Sequence, residues 1–145
     1  MKVTQTILLV DDCKNDVNLM RIAFKKAAWE VFLVEVHNGE EAIAYLNGEN
    51  AFADRVANPF PSLLLLDLNM PRKNGFELLA WLRAQSPLKR CSVIILTASM
   101  RSLDVEQAFQ LGAHAFLVKP STIDELILIL RRLRDWLEIN QFPPL

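Results

Sequence analysis

Asp11 and Asp12 stand together directly after the apolar run Ile7 to Val10, and Asp67 follows a second such run, Leu63 to Leu66. Thr97 follows Val93 to Leu96, and Lys119, with Pro120 beside it, follows Ala115 to Val118. One rim of a sheet would gather this set of carboxylates, hydroxyl and ammonium. Three carboxylates on one rim repel one another and are costly to hold unless a cation sits between them. Hard oxygen donors of this kind suit Mg²⁺, which is held by one or two carboxylates plus waters and phosphate oxygens. A carboxylate is also a competent nucleophile toward a phosphoryl group and yields an aspartyl-phosphate. Phosphoryl transfer asks a protein mainly for positioning and charge neutralisation. Mg²⁺ on one side, Lys119 as a point charge on the other and the Thr97 hydroxyl toward a third oxygen meet that demand. Any one of these aspartates alone reads as a helix cap or a solvated loop residue; the set is what points to chemistry. Pro120 adds the option of a cis Lys119-Pro120 peptide that would fix the lysine.

The elements that must position these groups are short apolar strands alternating with segments of helical period. Buried parallel strands read as continuous apolar runs because both faces are covered. The four runs above, together with Val31 to Val36, make five strands. Helical periodicity predicts helices at about Asp16 to Ala28, Glu40 to Leu46, Phe76 to Ala84, Leu103 to Leu111 and Ile123 to Leu137. Gly48 and Gly112 sit where helices should stop. Five β-α units of this size imply right-handed crossovers and an α/β fold: a doubly wound, five-stranded parallel sheet with helices on both faces, three layers in all. Ligands of such sheets bind outside the carboxyl ends of the strands, which is where the polar set falls. His37 and Asn38 follow the second strand. The long connection from Gly48 to Ser62 is either a functional loop or a tolerated one.

The chain has 145 residues, one domain's worth, and 52% of them are hydrophobic, enough to offset the ordering entropy of a single core. Sixteen Lys and Arg against seventeen Asp and Glu argue against a broad nucleic-acid footprint. No run approaches the length of a membrane span or a signal-peptide core, so no membrane partner is expected. Cys13 and Cys91 lie far apart without metal-ligand spacing, which fits a reducing, cytoplasmic compartment.

These residues carry a resemblance. Asp11-Asp12 after Ile7-Leu8-Leu9-Val10, Leu66-Asp67-Leu68-Asn69-Met70-Pro71 leading to Gly75, Leu96-Thr97-Ala98 and Lys119-Pro120 resemble the receiver domain of two-component response regulators. The spacings of 55, 30 and 22 residues between Asp12, Asp67, Thr97 and Lys119 are similar to the family's, allowing for the long loop before Asp67. The resemblance implies a flavodoxin-like strand order 2-1-3-4-5 and a receiver over residues 5–138 with a short tail, 139–145, and no output domain. It implies Asp67 as the phosphoacceptor, taking its phosphoryl group from a histidine kinase or phosphotransfer protein. Asp12 and Asp67 would ligate Mg²⁺ with the Asn69 backbone carbonyl, and Asp11 would act largely through water. Thr97 and Lys119 would bind the phosphoryl oxygens, and Phe116 would be an aromatic switch following Thr97. Asn69 and Ser99 would influence how long the phosphoryl group survives.

The long loop, Asp67 through Arg72-Lys73-Asn74-Gly75, Leu88-Lys89-Arg90 and the tail from Trp136-Leu137 through Asn140 to Pro143-Pro144 are similar to single-domain regulators that partner bacterial phytochrome-type kinases. In the last helix Ile123, Leu126, Ile127, Leu130, Leu133 and Leu137 share one face, and Ile129 and Trp136 widen it beyond what one sheet needs. The surplus suits a homodimer through the fourth helix, fifth strand and fifth helix, as family members commonly form, or packing under the chain's own tail. Arg131, Arg132 and Arg134 read as a solvated basic face with partners such as Asp135 and Glu138.

The implied function is a stand-alone signalling protein rather than an enzyme. The alternative is a Mg²⁺-dependent phosphohydrolase with Asp67 as nucleophile. A hydrolase of the haloacid-dehalogenase type would want an acid two residues after Asp67, where Asn69 stands. A flavin or nucleotide binder would want glycines and free amides where Asp11 and Asp12 stand.

Overall fold

The computed structural model describes residues 5–70, 74–85 and 91–139. Five strands, β1 (Gln5–Val10), β2 (Val31–Val36), β3 (Leu63–Leu66), β4 (Ser92–Thr97) and β5 (Ala115–Val118), alternate with α1 (Lys14–Lys26), α2 (Gly39–Asn47), α3 (Gly75–Ala84), α4 (Ser102–Gln110) and α5 (Ile123–Ile139). All neighbouring strands are parallel, in the order β2-β1-β3-β4-β5. The sequence segments Leu88 to Arg90, Pro71 to Lys73 and the tail beyond Ile139 lie outside the described residues.

The two-residue period of the strands divides the core. Leu8, Val10, Leu64, Leu66, Val93 and Ile95 face one side, against Tyr45 of α2, Leu78, Leu79 and Leu82 of α3 and Ala108 of α4. Ile7, Leu9, Leu63, Leu65, Ile94 and Leu96 face the other, against Val17, Met20 and Phe24 of α1 and Leu126, Leu130 and Leu133 of α5. With helices on both faces, every residue of β3 is buried, which is why it is an unbroken leucine run.

Local chemistry sets the helix ends. Asn38 accepts from the Glu41 amide at 2.8 Å to start α2, and Asn74 and Glu77 form a reciprocal capping box at the start of α3. Gly48 ends α2 in the left-handed conformation, φ +66°, with the Arg55 guanidinium packed where a Cβ would sit. Arg55 pins the following loop through Leu46 O at 2.7 Å and Asn58 O at 3.2 Å, and Tyr45 donates to Pro59 O at 2.7 Å. The segment read as an open connection is therefore strapped to α2, with a 3₁₀ turn at Asn50–Phe52.

Two further readings change. The Lys119-Pro120 peptide is trans, since no cis bond occurs among the described residues. This is the lower-energy isomer, and the lysine is fixed by its carboxylate partners instead. Arg131 and Arg134 are not simply solvated: they donate to Lys26 O at 3.2 Å and Ala27 O at 2.9 Å, covering carbonyls at the C-terminus of α1. Arg134 also meets its sequence neighbour Asp135 at 3.4 Å, an adjacent pair and not one at the three- or four-residue spacing the sequence suggests.

Candidate functional site

The chain leaves the interior strand β1 for the sheet's β2 edge and returns through β3 to the opposite side, so the carboxyl ends of β1 and β3 flank the reversal of strand order. Val10 and Leu66 are register partners, and Asp67 N donates to Val10 O at 3.0 Å, which sets Asp67 beside Asp11. Thr97 ends β4, and Lys119 N donates to Thr97 O at 2.8 Å, which brings the lysine to the same rim. The ladder thus converges residues that are 108 positions apart in sequence.

Asp67 is buried, with its carboxylate held from three directions. Thr97 Oγ1 donates to Oδ1 at 2.8 Å, the Asn69 amide donates to the same oxygen at 3.2 Å, and Lys119 Nζ donates to Oδ2 at 3.0 Å. Asp11 is also buried and accepts from the Cys13 amide at 2.9 Å and from Lys119 at 2.8 Å. Burial pushes the Asp11 carboxyl above its ordinary range, although the Lys119 and Cys13 hydrogen bonds oppose the shift. Burial alone would lower the Lys119 pKa, but its hydrogen bonds to Asp11, Asp16 and Asp67 outweigh that and raise it.

Oxygens of Asp11, Asp12 and Asp67 all lie within 4.8 Å of one another, with Asp12 open to solvent. Three hard carboxylate oxygens at this separation fit a divalent cation such as Mg²⁺ or Mn²⁺, with water able to reach from the Asp12 side. From there a cleft of about 450 Å³ runs out between Asn69, Met70, Asn74, Phe76, Arg101 and Asp104.

The sequence set Asp11, Asp12, Asp67, Thr97 and Lys119 is therefore assembled at one place. Asn69 lines the cleft beside Asp12. Ser99 is turned to Asp104, to which it donates, and accepts from the Arg101 amide. Phe116 is half-buried and packs on the α2, α3 and α4 side of the core, where it is one side chain of a cluster. Ile129 is half-buried and Trp136 is 38% exposed on α5. Sequence reasoning misses Asp16, whose Oδ2 lies 2.7 Å from Lys119 Nζ. An acid in a helix's first turn reads as a complement to the dipole; the signal that could find it is that α1 starts directly beyond the acidic pair.

A model of the response regulator receiver domain matches residues 7–131. The chain belongs to this family. Response regulator Rcp1 of Synechocystis is 32% identical over 140 residues, spanning 96% of this chain and 93% of Rcp1. The crystal structure of the phosphorylated cyanobacterial phytochrome response regulator RcpA superposes with a TM-score of 0.88 at 31% identity, covering 98% of this receiver and all of RcpA. Response regulator RPA3017, of red light signalling in R. palustris, gives a TM-score of 0.92 at 32% identity, covering 97% of this receiver and 99% of its own chain. Rcp1 has also been solved in a Mn²⁺-bound form. The receiver fold and its order of strands agree with what the motif resemblance implies, and the phosphohydrolase alternative is not favoured. No helix of the described residues is long and apolar enough to cross a membrane.

Proposed function

We propose that this receiver takes a phosphoryl group onto Asp67 from a histidine kinase or phosphotransfer protein, and that a bacterial phytochrome is the sensor. The observation that carries the reading is the Asp67 carboxylate, only 7% exposed yet flanked by the Thr97 hydroxyl, the Lys119 ammonium and a divalent-cation set. An Asp67 oxygen forms the new O–P bond while the P–N bond to the donor imidazole breaks, its electron pair leaving on nitrogen. Asp12, Asp67 and the Asn69 carbonyl would hold Mg²⁺, and Asp11 would act largely through water. When bound, Mg²⁺ neutralises charge on the phosphoryl oxygens. Lys119 donates to one of these oxygens, and Thr97 turns its hydroxyl from the carboxylate to another.

Movement of Thr97 and the loop behind it frees the space into which Phe116 turns, so the phosphoryl state reaches the surface formed by α4, β5 and α5. Met100, Leu103, Val118, Leu128 and Trp136 leave that side of the molecule apolar. A homodimer using Ile129 and Trp136 fits this surface; unchanged sedimentation of an Ile129→Asp, Trp136→Ala variant, with and without phosphorylation, rejects it. The protein works in the cytoplasm as a phosphoacceptor, its catalysis limited to its own phosphorylation and dephosphorylation. The likeness to RcpA and RPA3017 supports the phytochrome partner.

Incubation with acetyl phosphate and Mg²⁺, followed by intact mass, tests the central step. One added phosphoryl group, lost in Asp67→Asn and in chelator, is expected. Turnover of many phosphates with no covalent species would overturn it.

A further inference from the structure

Lys119 ends in an ammonium with three N–H donors, and the structure spends all three on carboxylates: Asp16 at 2.7 Å, Asp11 at 2.8 Å and Asp67 at 3.0 Å. Two of these carboxylates lie on the β1-α1 segment, one just after the strand and one in the first turn of the helix. Only Asp67 belongs to the β3 end. Among the described residues Asp16 has no other side-chain partner, and it is not among the three carboxylates that gather for a cation. It also lines, with Leu19, Met20, Pro120 and Leu126, the apolar crevice through which the lysine stem reaches the rim.

From this arrangement we propose that Asp16 is a positioning residue: with Asp11 it clamps the Lys119 ammonium from the helix side, so that the third donor is aimed at Asp67 and at the phosphoryl group formed there. The proposal rests on Asp67 being the phosphoacceptor.

A lysine side chain carries several rotatable bonds, and its charge is strongly hydrated, so one carboxylate alone holds it loosely. Two carboxylates on one rigid segment remove that freedom before the reaction. Phosphorylation turns one Asp67 oxygen into the bridging oxygen of an acyl phosphate and adds phosphoryl oxygens of greater charge. The donor facing Asp67 then passes to a phosphoryl oxygen, while the donors on Asp11 and Asp16 stay in place. Without Asp16 one donor is left to solvent and the ammonium swings toward it.

The test compares wild type, Asp16→Asn and Asp16→Glu by rate of phosphoryl gain from acetyl phosphate at saturating Mg²⁺, with Mg²⁺ affinity measured separately by calorimetry. Asp16→Asn is expected to slow phosphoryl gain on the order of tenfold. Its Mg²⁺ affinity should change less than about threefold, the effect of one charge outside the ligand set. Asp16→Glu, which keeps the carboxylate, should recover most of the rate. A urea double-mutant cycle with Lys119→Met reads the contact itself: Asp16→Asn should lower the midpoint in wild type and raise it in Lys119→Met, where only repulsion remains.

A wild-type rate in Asp16→Asn, a rate loss matching its loss of Mg²⁺ affinity, or the same midpoint change in both backgrounds would each overturn the proposal. If Lys119→Met does not fold, the two Asp16 variants decide by rate and affinity. If wild type gains no phosphoryl group, or Asp67→Asn gains it equally, the Asp67 reading fails instead, and the urea cycle still reports on Asp16 and Lys119.

Discussion

Thr97 donates its hydroxyl to Oδ1 of Asp67 across 2.8 Å, from a side chain with no exposed surface. The hydroxyl that would follow a phosphoryl group is thus already engaged with the carboxylate, and moving it exchanges one charge-assisted hydrogen bond for another. Thr97→Val keeps the shape and removes the donor. It should lower stability by about 1.5 to 3 kcal/mol, the range for a lost hydrogen bond to a charged acceptor, as read by urea unfolding in chelator. Phosphoryl gain by intact mass should persist in the variant, while the change in hydrogen exchange at residues 98–101 and at Phe116 that accompanies it in wild type should be absent.

Gly75 packs the start of α3 against the backbone of Asp67 and Leu68. Its amide donates to Leu68 O at 3.1 Å, and a Cβ there would lie 2.6 Å from the Asp67 carbonyl oxygen and 2.7 Å from Leu68 Cα. Both neighbours are backbone, so neither yields by a rotamer change. Gly75→Ala should cost roughly 1 to 3 kcal/mol by overpacking and push Asp67 and Leu68 away from the helix. Urea midpoints measure the first effect; a slower phosphoryl gain at unchanged secondary structure measures the second.

What the sequence reveals and what it hides divide along physical lines. The leucine run of β3 and the acids and lysine at strand ends are set by burial and by the rim of a parallel sheet, both of which leave marks in one dimension. Asp16 leaves none, because a first-turn acid has a sufficient local reason to be there. Arg131 and Arg134 mislead in the same way: helical spacing offers acidic partners, whereas the carbonyls at the end of α1 become available only once α5 packs on α1. The loop after Gly48 reads as irregular because its order comes from side chains tying it to α2, Arg55 reaching back to Leu46 O and Tyr45 reaching out to Pro59 O.

His114 gives a pH dependence with a definite sign. Its Nδ1 accepts from the Val93 amide at 3.0 Å, which requires an unprotonated nitrogen. Partial burial, then the charge of Arg83, lower its pKa below 6.5. The unfolded chain therefore takes up a proton near pH 6.5 while the folded chain does not, so more protons are bound in the unfolded state and stability falls with pH. The loss begins as pH drops through about 7 and ends once the folded ring also protonates. As much of the ring is exposed, the effect should stay below about 1 kcal/mol. Urea midpoints between pH 7.5 and 5 should decline less in His114→Gln, whose amide oxygen keeps an acceptor that does not titrate. An equal decline in both proteins would contradict this assignment.

The two cysteines should separate cleanly by reactivity. Cys13 is exposed at the start of α1, whereas Cys91 is buried beside Pro61 O at 3.7 Å. Burial pushes the Cys91 thiol up to about 12, with the Arg83 charge opposing it only partly. Since the thiolate is the nucleophile, at pH 8 only about one part in ten thousand of Cys91 is reactive even before access is counted. Iodoacetamide on the native protein should add one carbamidomethyl group, at Cys13, and a second only in urea. The Cys91 labelling rate then reports opening of the structure around the first residues of β4, and its urea dependence should match that of global unfolding. Labelling of Cys91 in native buffer at a rate independent of urea would place a local opening there, separate from the core that holds Asp67.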